Sequence, residues 1–293
     1  YDYWKGVEDH SWVIGDFIWT AFDYIGEASI GWCGYPLDKR IFPWNHANCG
    51  DLNLSGERRP QSYLRETLWS DAPVSHIVVT PPVPSFPLNP DKADWSVWDF
   101  PDVVDHWNFP GYEGKKMTVS VYSNCEQVEL FLNGESLGKQ ENTADKKNTL
   151  VWEVPYAHGI LKAVSYNKGG EVGTATLESA GKVEKIRLSA DRTEIVADGN
   201  DLSYITLELV DSKGIRNQLA EELVEFSIEG DATIEGVGNA NPMSIESFVA
   251  NSRKTWRGSN LLVVRSGKSS GRIIVTAKVK ALPVASITIT QKK

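Results

Sequence analysis

The feature that most constrains the fold is an apolar run near the start of the chain, Trp12–Phe22, with Asp16 as its one charged residue. Aromatic and β-branched residues dominate the run. It is short for a helix, and it lacks the alternation of a strand that has one solvated face. This pattern predicts a strand buried on both faces, as in a parallel sheet.

A polar, glycine-rich stretch, Gly26–Gly56, separates this run from a second element. In Arg59–Trp69 the apolar residues recur at helical spacing, and Pro60 suits a first helical turn. The order strand, long loop, helix makes one βα unit. A single unit cannot cover both faces of its strand, so the pattern predicts partner elements outside this chain.

The remainder of the chain reads as all-β. Residues 73–92 are rich in proline and predict an irregular connector. In 93–180, short extended segments alternate with turns, and Asn133-Gly134 between two of them indicates a type I′ hairpin. Residues 183–293 repeat this pattern, which is typical of a second Greek-key sandwich of immunoglobulin type. We therefore divide the chain into residues 1–72, 73–181 and 182–293.

Charge and motifs exclude several functions. The formal net charge is −9 and basic residues form no tract, which argues against nucleic acid and against an anionic membrane surface. No apolar run approaches the ~20 residues of a membrane span. The histidines and cysteines show no metal-ligand spacing, and Gly236-Val237-Gly238 is interpreted as a turn rather than a phosphate loop. We therefore expect no metal, no cofactor, no nucleic acid and no membrane partner.

The chain has three cysteines, Cys33, Cys49 and Cys125. A Cys33–Cys49 disulfide and three buried thiols are both compatible with their spacing. The first residues contain no Met and no signal-peptide pattern, which predicts that residue 1 lies inside a larger protein.

Three residues at the end of the apolar run are candidates for binding substrate: Trp19, Asp23 and Glu27. If the strand belongs to a parallel α/β barrel, residues that follow its carboxyl end face the active site. An indole there can form the floor of a sugar subsite, and a carboxylate can hold ring hydroxyls. The alternatives are a core tryptophan for Trp19, and for Asp23 a carboxylate that caps the loop or pairs with an arginine, Arg40 or Arg58.

Further side chains in the following loop are candidates for the rim of the site, although loop packing explains them equally well. They are Trp32, Tyr35, Trp44, His46 and Asn48. Asp23 and Glu27 are not predicted to be a catalytic pair, since two glycosidase carboxyls flank the scissile bond and usually come from separate strand ends. We assign no catalytic residue to this chain.

The stretch Trp12–Glu27 closely resembles strand eight of the barrel in glycoside hydrolase family 2, the β-galactosidase and β-glucuronidase family. Cys49–Leu52 and Arg59–Trp69 are similar to the family's closing loop and last helix. His106–Phe109 and Val128–Gly134 resemble the immunoglobulin-like domain that follows the barrel. Residues 183–293 resemble a final bacterial Ig-like domain.

This resemblance implies a mainly β fold, with two immunoglobulin-like β-sandwiches preceded by a terminal βα unit of a (β/α)8 TIM barrel. It implies the C-terminal region of a retaining exo-β-glycosidase, with galactose as the expected terminal sugar. The family's acid/base and nucleophile glutamates follow strands four and seven, and no residue here matches them. Trp19 would be the platform under the sugar, with Asp23 a polar contact near it.

The implied partners are a β-linked oligosaccharide or glycoside and the rest of the parent barrel, with a homo-oligomer left open. The implied location is the periplasm or the outside of a bacterial cell. Two alternative functions remain. One is a non-catalytic carbohydrate-binding module with Trp95, Trp98 and Trp107 on its binding face, and the other is an adhesion module built on the last domain.

Overall fold

The computed structural model describes residues 1–27, 42–86 and 101–293. These residues form 18 strands, two α-helices and two short 3₁₀ helices, so the predicted mainly β fold is confirmed. They fall into two compact units. The first takes in the described residues up to Ser179 except Phe42–Asn45, and the second takes in Phe42–Asn45 and Ala180–Lys293. Within the described ranges, no helix has the length and apolarity needed to cross a membrane.

The boundary between the units lies next to the sequence-predicted division at 181/182. The further division of the first unit at 72/73 stays a prediction.

The first unit begins with helix α1, Asp2–Asp9, which the sequence analysis did not predict. Lys5 Nζ lies 3.3 Å from Glu8 Oε2 and 3.0 Å from Asp9 Oδ1, the spacing of ion pairs along one helical face. The Trp4 ring makes an edge contact with Trp69 at 5.8 Å between centroids. Trp69 ends helix α2, Tyr63–Trp69, so this contact packs α1 against α2.

The buried strand predicted over the apolar run is not formed between Trp12 and Trp19. Ile14 and Phe17 are almost fully exposed. A strand needs neighbours to pair its backbone N–H and C=O groups, and the described residues supply none for this segment. That partner elements lie outside this chain stays a prediction.

Of the predicted βα unit, the described residues form the helix but not the strand. Phe22 forms a parallel bridge with Leu52, and β1 (Tyr24–Ile25) pairs antiparallel with β2 (His46–Ala47). The helix predicted within Arg59–Trp69 is confirmed as α2, and Pro60 begins the 3₁₀ turn, Pro60–Ser62, that leads into it.

The rest of the first unit is a sandwich of seven antiparallel strands. They are β3 (Ser75–Val79), β4 (Lys116–Ser123), β5 (Gln127–Leu132), β6 (Glu135–Glu141), β7 (Thr149–Pro155), β8 (Ile160–Asn167) and β9 (Gly170–Glu178). One sheet has the order β3-β4-β7 and the other β6-β5-β8-β9. Alternate residues point inward, as Leu150, Trp152 and Val154 do in β7, and they pack into one core.

Two expectations for this sandwich have clear outcomes. The Asn133-Gly134 hairpin is confirmed, since φ is 52° at Asn133 and 88° at Gly134, both in the region that a type I′ turn requires. The connector predicted over 73–92 is wrong for Ser75–Val79, which form β3. The prolines flank this segment, and its β-branched residues Ile77, Val78 and Val79 are buried.

Trp107 belongs to the core of the first sandwich, where it is 0% exposed and donates its indole N–H to the Ala157 carbonyl at 2.8 Å. The binding face proposed for a carbohydrate-binding module is therefore wrong at Trp107, because a buried indole offers no face to a ligand. Trp95 and Trp98 lie outside the described residues.

The second unit is also a two-sheet sandwich. Its strands are β10 (Lys185–Ala190), β11 (Glu194–Val196), β12 (Leu202–Val210), β13 (Leu223–Glu229), β14 (Ala232–Gly238), β15 (Ser252–Lys254), β16 (Ser259–Ser266), β17 (Gly271–Val279) and β18 (Ala285–Lys292). One sheet has the order β10-β12-β16-β14 and the other β11-β18-β17-β13-β15. The turn predicted at Gly236-Val237-Gly238 is wrong, because these residues end β14, next to a bulge between Ile234 and Gly236.

Candidate functional site

The backbone around Trp19 is held by the stretch that precedes the 3₁₀ turn. Thr20 N–H donates to the Cys49 carbonyl at 3.2 Å, and Asp51 N–H donates to the Thr20 carbonyl at 3.0 Å. The Trp19–Thr20 peptide bond is cis. The two hydrogen bonds of Thr20 hold the backbone next to Trp19 in place.

Trp19 is 59% exposed, so its indole is available to a ligand. Its Nε1 donates to the Tyr24 hydroxyl at 3.1 Å, and the two rings meet edge to face with centroids 6.3 Å apart. The Tyr24 hydroxyl in turn donates to Glu27 Oε2. Trp19, Tyr24 and Glu27 therefore form one hydrogen-bonded chain, which we call the Trp19 relay.

Tyr24 is anchored at its base. It pairs with Ala47 in the short β1–β2 ladder and packs against Ala47 and Cys49, both of which are 0% exposed. Burial, with the Glu27 carboxylate adding to it, raises the pKa of Tyr24. The phenol thus keeps its proton at neutral pH and can donate to Glu27.

Asp23 has hydrogen-bond partners outside the Trp19 relay. It is 4% exposed, its Oδ1 accepts from Gly50 N–H at 2.8 Å, and its Oδ2 accepts from Arg59 Nη2 at 2.5 Å. Burial raises the pKa of Asp23, and the Arg59 guanidinium opposes this shift. Because it holds Gly50 and Arg59 together, Asp23 ties the stretch after Trp19 to the stretch before α2.

The approach of Asp23 to Gly50 explains why a glycine stands there. A Cβ on Gly50 would lie 2.3 Å from the Asp23 nitrogen and 2.4 Å from the Phe22 carbonyl carbon. No side chain fits in that space, so only glycine allows this close backbone approach.

Two buried groups beside Asp23 are neutral at pH 7. His46 Nε2 lies 3.8 Å from Asp23 Oδ2, and burial, helped by the nearby Arg59, lowers the pKa of His46 to about 4. Burial, with the Asp23 carboxylate adding to it, raises the pKa of the Cys49 thiol to about 11. Both states suit structural side chains rather than a nucleophile or base. In the described ranges, no group of three or more His, Cys, Asp or Glu side chains could hold a metal.

The three residues predicted to bind substrate thus separate into two groups: Trp19 and Glu27 share Tyr24, whereas Asp23 binds Arg59. Arg59 was not among the arginines predicted to pair with Asp23; Arg58, which was, pairs instead with Glu66 at 2.5 Å. Among the rim candidates Trp44 and His46 are buried, and the Asn48 side chain accepts from Arg59. Trp32, Tyr35, Arg40 and Cys33 lie outside the described residues, while Cys49 and Cys125 are buried free thiols.

An open hollow of about 360 Å³ lies along α2. The charged side chains that line it form ion pairs with each other, Arg58 with Glu66 and Arg65 with Asp51. Since these groups satisfy one another, the hollow is a weaker candidate for a ligand site than the exposed indole of Trp19.

Comparisons with known proteins place the chain in a family. Residues 186–288 match the model of glycoside hydrolase family 2 C-terminal domain 5, and residues 114–173 match a domain of unknown function (DUF4982). The chain is similar to β-galactosidase BoGH2A of Bacteroides ovatus, at 31% identity over 99% of this chain and 30% of that protein. It is also similar to a putative β-glucuronidase of Formosa agariphila, at 29% identity over 82% of this chain and 20% of that protein.

A solved structure gives the same result. The crystal structure of a glycosyl hydrolase family 2 member from Bacteroides cellulosilyticus matches 99% of this chain at 89% identity with a TM-score of 0.88. This chain covers 36% of that structure. The fold and the matches thus define the class, a C-terminal β-sandwich region of a glycoside hydrolase. The chain corresponds to the C-terminal part of glycoside hydrolase family 2 proteins, which confirms the resemblance seen in the sequence, and it spans between 20% and 36% of the length of these relatives.

Proposed function

We propose that the chain completes the barrel of a retaining exo-β-glycosidase and that Trp19 forms the platform under the terminal sugar. The observation that carries this proposal is the indole of Trp19, which is 59% exposed and is held by its N–H at the end of an apolar segment that pairs with no strand among the described residues. Pyranose C–H groups pack on such an aromatic face. The exposed Ile14 and Phe17 would be covered by the preceding part of the barrel.

In this proposal the chain builds part of the pocket wall and performs no proton transfer. The acid/base and nucleophile glutamates come from outside residues 1–293, and the reaction is a double displacement through a glycosyl–glutamate intermediate. The substrate is a glycoside with a terminal β-linked galactose, in line with the β-galactosidase names among the relatives. The protein acts in the periplasm or outside a bacterial cell.

The test compares the full-length protein with its Trp19→Ala variant on aryl β-galactosides and aryl β-glucuronides. Loss of an anchoring aromatic face is expected to lower kcat/KM about ten-fold or more, and Trp19→Phe should recover part of it. Trp69→Ala serves as the control, since this indole is 53% exposed and contacts Trp4 rather than Tyr24.

Unchanged kcat/KM in Trp19→Ala would refute the platform. The 293-residue chain alone is expected to hydrolyse no glycoside. If the 293-residue chain hydrolysed a glycoside and Asp23→Asn abolished that activity, the catalytic carboxylate would lie in this chain. That result would contradict the proposal.

A further inference from the structure

The Trp19 relay contains a residue that the sequence analysis left without a role, Tyr24. A tyrosine hydroxyl has one proton to give and lone pairs to accept with. It can therefore accept from Trp19 Nε1 and donate to Glu27 Oε2 at the same time, as the structure shows.

The Trp19 relay is anchored at its middle residue, Tyr24, and exposed at Trp19. Tyr24 is held by the β1–β2 ladder and by packing against Ala47 and Cys49. Trp19, by contrast, is more than half exposed. An exposed side chain has little packing to select its rotamer, so a directional hydrogen bond to Nε1 restricts how far the indole plane can turn.

We propose that Tyr24 and Glu27 are positioning residues that hold the indole plane of Trp19 for the sugar, with Glu27 acting through Tyr24 and not on the substrate itself. This inference rests on the proposed platform role of Trp19. It gives Glu27, predicted from the sequence as a substrate contact, a different task. In the structure its Oε2 accepts from the Tyr24 hydroxyl, and the Tyr24 ring lies between it and the anchored β1–β2 ladder.

The first experiment is steady-state kinetics of the full-length protein carrying Tyr24→Phe, which keeps the ring and its packing and removes only the hydroxyl. One hydrogen bond of ordinary strength corresponds to a rise in KM of about 3- to 10-fold. We expect kcat to change less than about two-fold, because the platform binds substrate and transition state alike.

The second experiment is a double-mutant cycle between Tyr24→Phe and Glu27→Ala. If Glu27 acts through the hydroxyl, Glu27→Ala raises KM in the wild-type background and has little further effect in the Tyr24→Phe background. Glu27→Gln is the matched control, since its amide oxygen still accepts from Tyr24 and should keep KM near the wild-type value. Additive effects would show that Glu27 contacts the substrate directly and would overturn the inference.

Trp19→Ala separates this inference from the function on which it rests. If Trp19→Ala leaves kcat/KM unchanged, the platform itself fails. If Trp19→Ala impairs the enzyme and Tyr24→Phe leaves KM unchanged, only the positioning role fails. A Tyr24→Phe variant with a lower melting temperature and an unchanged KM would also overturn it, because that is the result of a purely structural role.

Discussion

At the scale of single residues, His76 shows how burial sets a charge state in the first unit. Its ring stacks on Tyr63 with centroids 3.5 Å apart, and the Arg58 guanidinium lies 3.9 Å from the Tyr63 centroid. Burial lowers the pKa of His76 to about 4. Asp105 and Glu66 oppose this shift and Arg58 adds to it.

We predict that the first unit loses stability as the pH falls from about 6.5 towards 4. Folded His76 stays neutral in this range, whereas the unfolded chain takes up a proton near pH 6.5, so its contribution is present above that pH and is lost below it. At pH 5 the loss from His76 is about 2 kcal/mol relative to pH 7. His46, with its pKa also lowered to about 4, acts in the same direction.

The measurement is denaturant unfolding of the first unit at pH 7 and pH 5. His76→Phe keeps an aromatic ring against Tyr63 and should reduce the difference between the two pH values, while His10→Phe, at an exposed histidine, should leave it unchanged. An equal pH dependence in His76→Phe and the wild type would contradict the prediction.

Two of the three residues of the Trp19 relay were predicted from the sequence as site residues. Trp19 and Glu27 lie within one short stretch, so their clustering after the apolar run identified both as candidates. The partner of Asp23 was not predictable, because Arg59 is 36 positions away and Arg58 and Arg40 fitted the sequence as well. Which of several arginines reaches a carboxylate depends on the course of the loop between them.

At the scale of elements, the Asn133-Gly134 hairpin gives the sharpest test of local sequence control. Gly134 has a φ of 88°, and no atom lies within 4 Å of the place that a Cβ would occupy. A substitution there is therefore destabilising only through backbone strain and not through a steric clash. We predict that Gly134→Ala lowers the unfolding free energy of the first unit by about 1 kcal/mol.

Gly173 provides the matched control, since it lies in β9, does not have a positive φ and also has open space around it. Gly173→Ala should leave the stability unchanged or raise it slightly. Equal destabilisation by the two substitutions, measured by urea unfolding, would show that the turn conformation is not the cause.

Strand prediction succeeded where the partners of a strand lie within the chain. The short extended segments predicted within 93–180 are observed as strands, among them β4, β5, β7 and β8, because their alternating apolar residues meet an opposite sheet of the same unit. Over Trp12–Trp19, where no opposite sheet is available among the described residues, no strand forms. Its apolar residues indicate burial, but the surfaces that would bury them are not among the described residues.

At the scale of the whole molecule, the second unit is built from two separate parts of the sequence. Asn45 N–H donates to the Pro242 carbonyl at 2.8 Å, and Asn45 Nδ2 donates to the Ser244 carbonyl at 2.6 Å. Trp44, beside it, is 3% exposed. The segment Phe42–Asn45 is thus an integral part of the second unit although nearly 200 residues of sequence separate it from its hydrogen-bond partners.

The partner loop is itself held from within. Arg253 is 1% exposed and donates to the Val237 carbonyl and the Glu246 carbonyl at 3.2 Å and to Ser244 Oγ at 3.1 Å. These bonds fix the backbone that accepts from Asn45. Local sequence patterns do not reveal such a long-range pairing. The sequence therefore fitted two interpretations of Trp44 equally well, a residue on the rim of a site and a residue that packs within the loop.

We predict that Trp44→Ala destabilises the second unit by about 3–5 kcal/mol, the usual cost of removing a buried tryptophan side chain. Phe42→Ala is the control, because Phe42 belongs to the same segment but is 79% exposed, and its loss should change the stability by less than about 0.5 kcal/mol. Hydrogen exchange of the amides in β12 and β16 reports on the second unit alone, and it should accelerate in Trp44→Ala and not in Phe42→Ala. If both variants exchange like the wild type, Phe42–Asn45 lies against the second unit without stabilising it, and the unit is complete in residues 180–293.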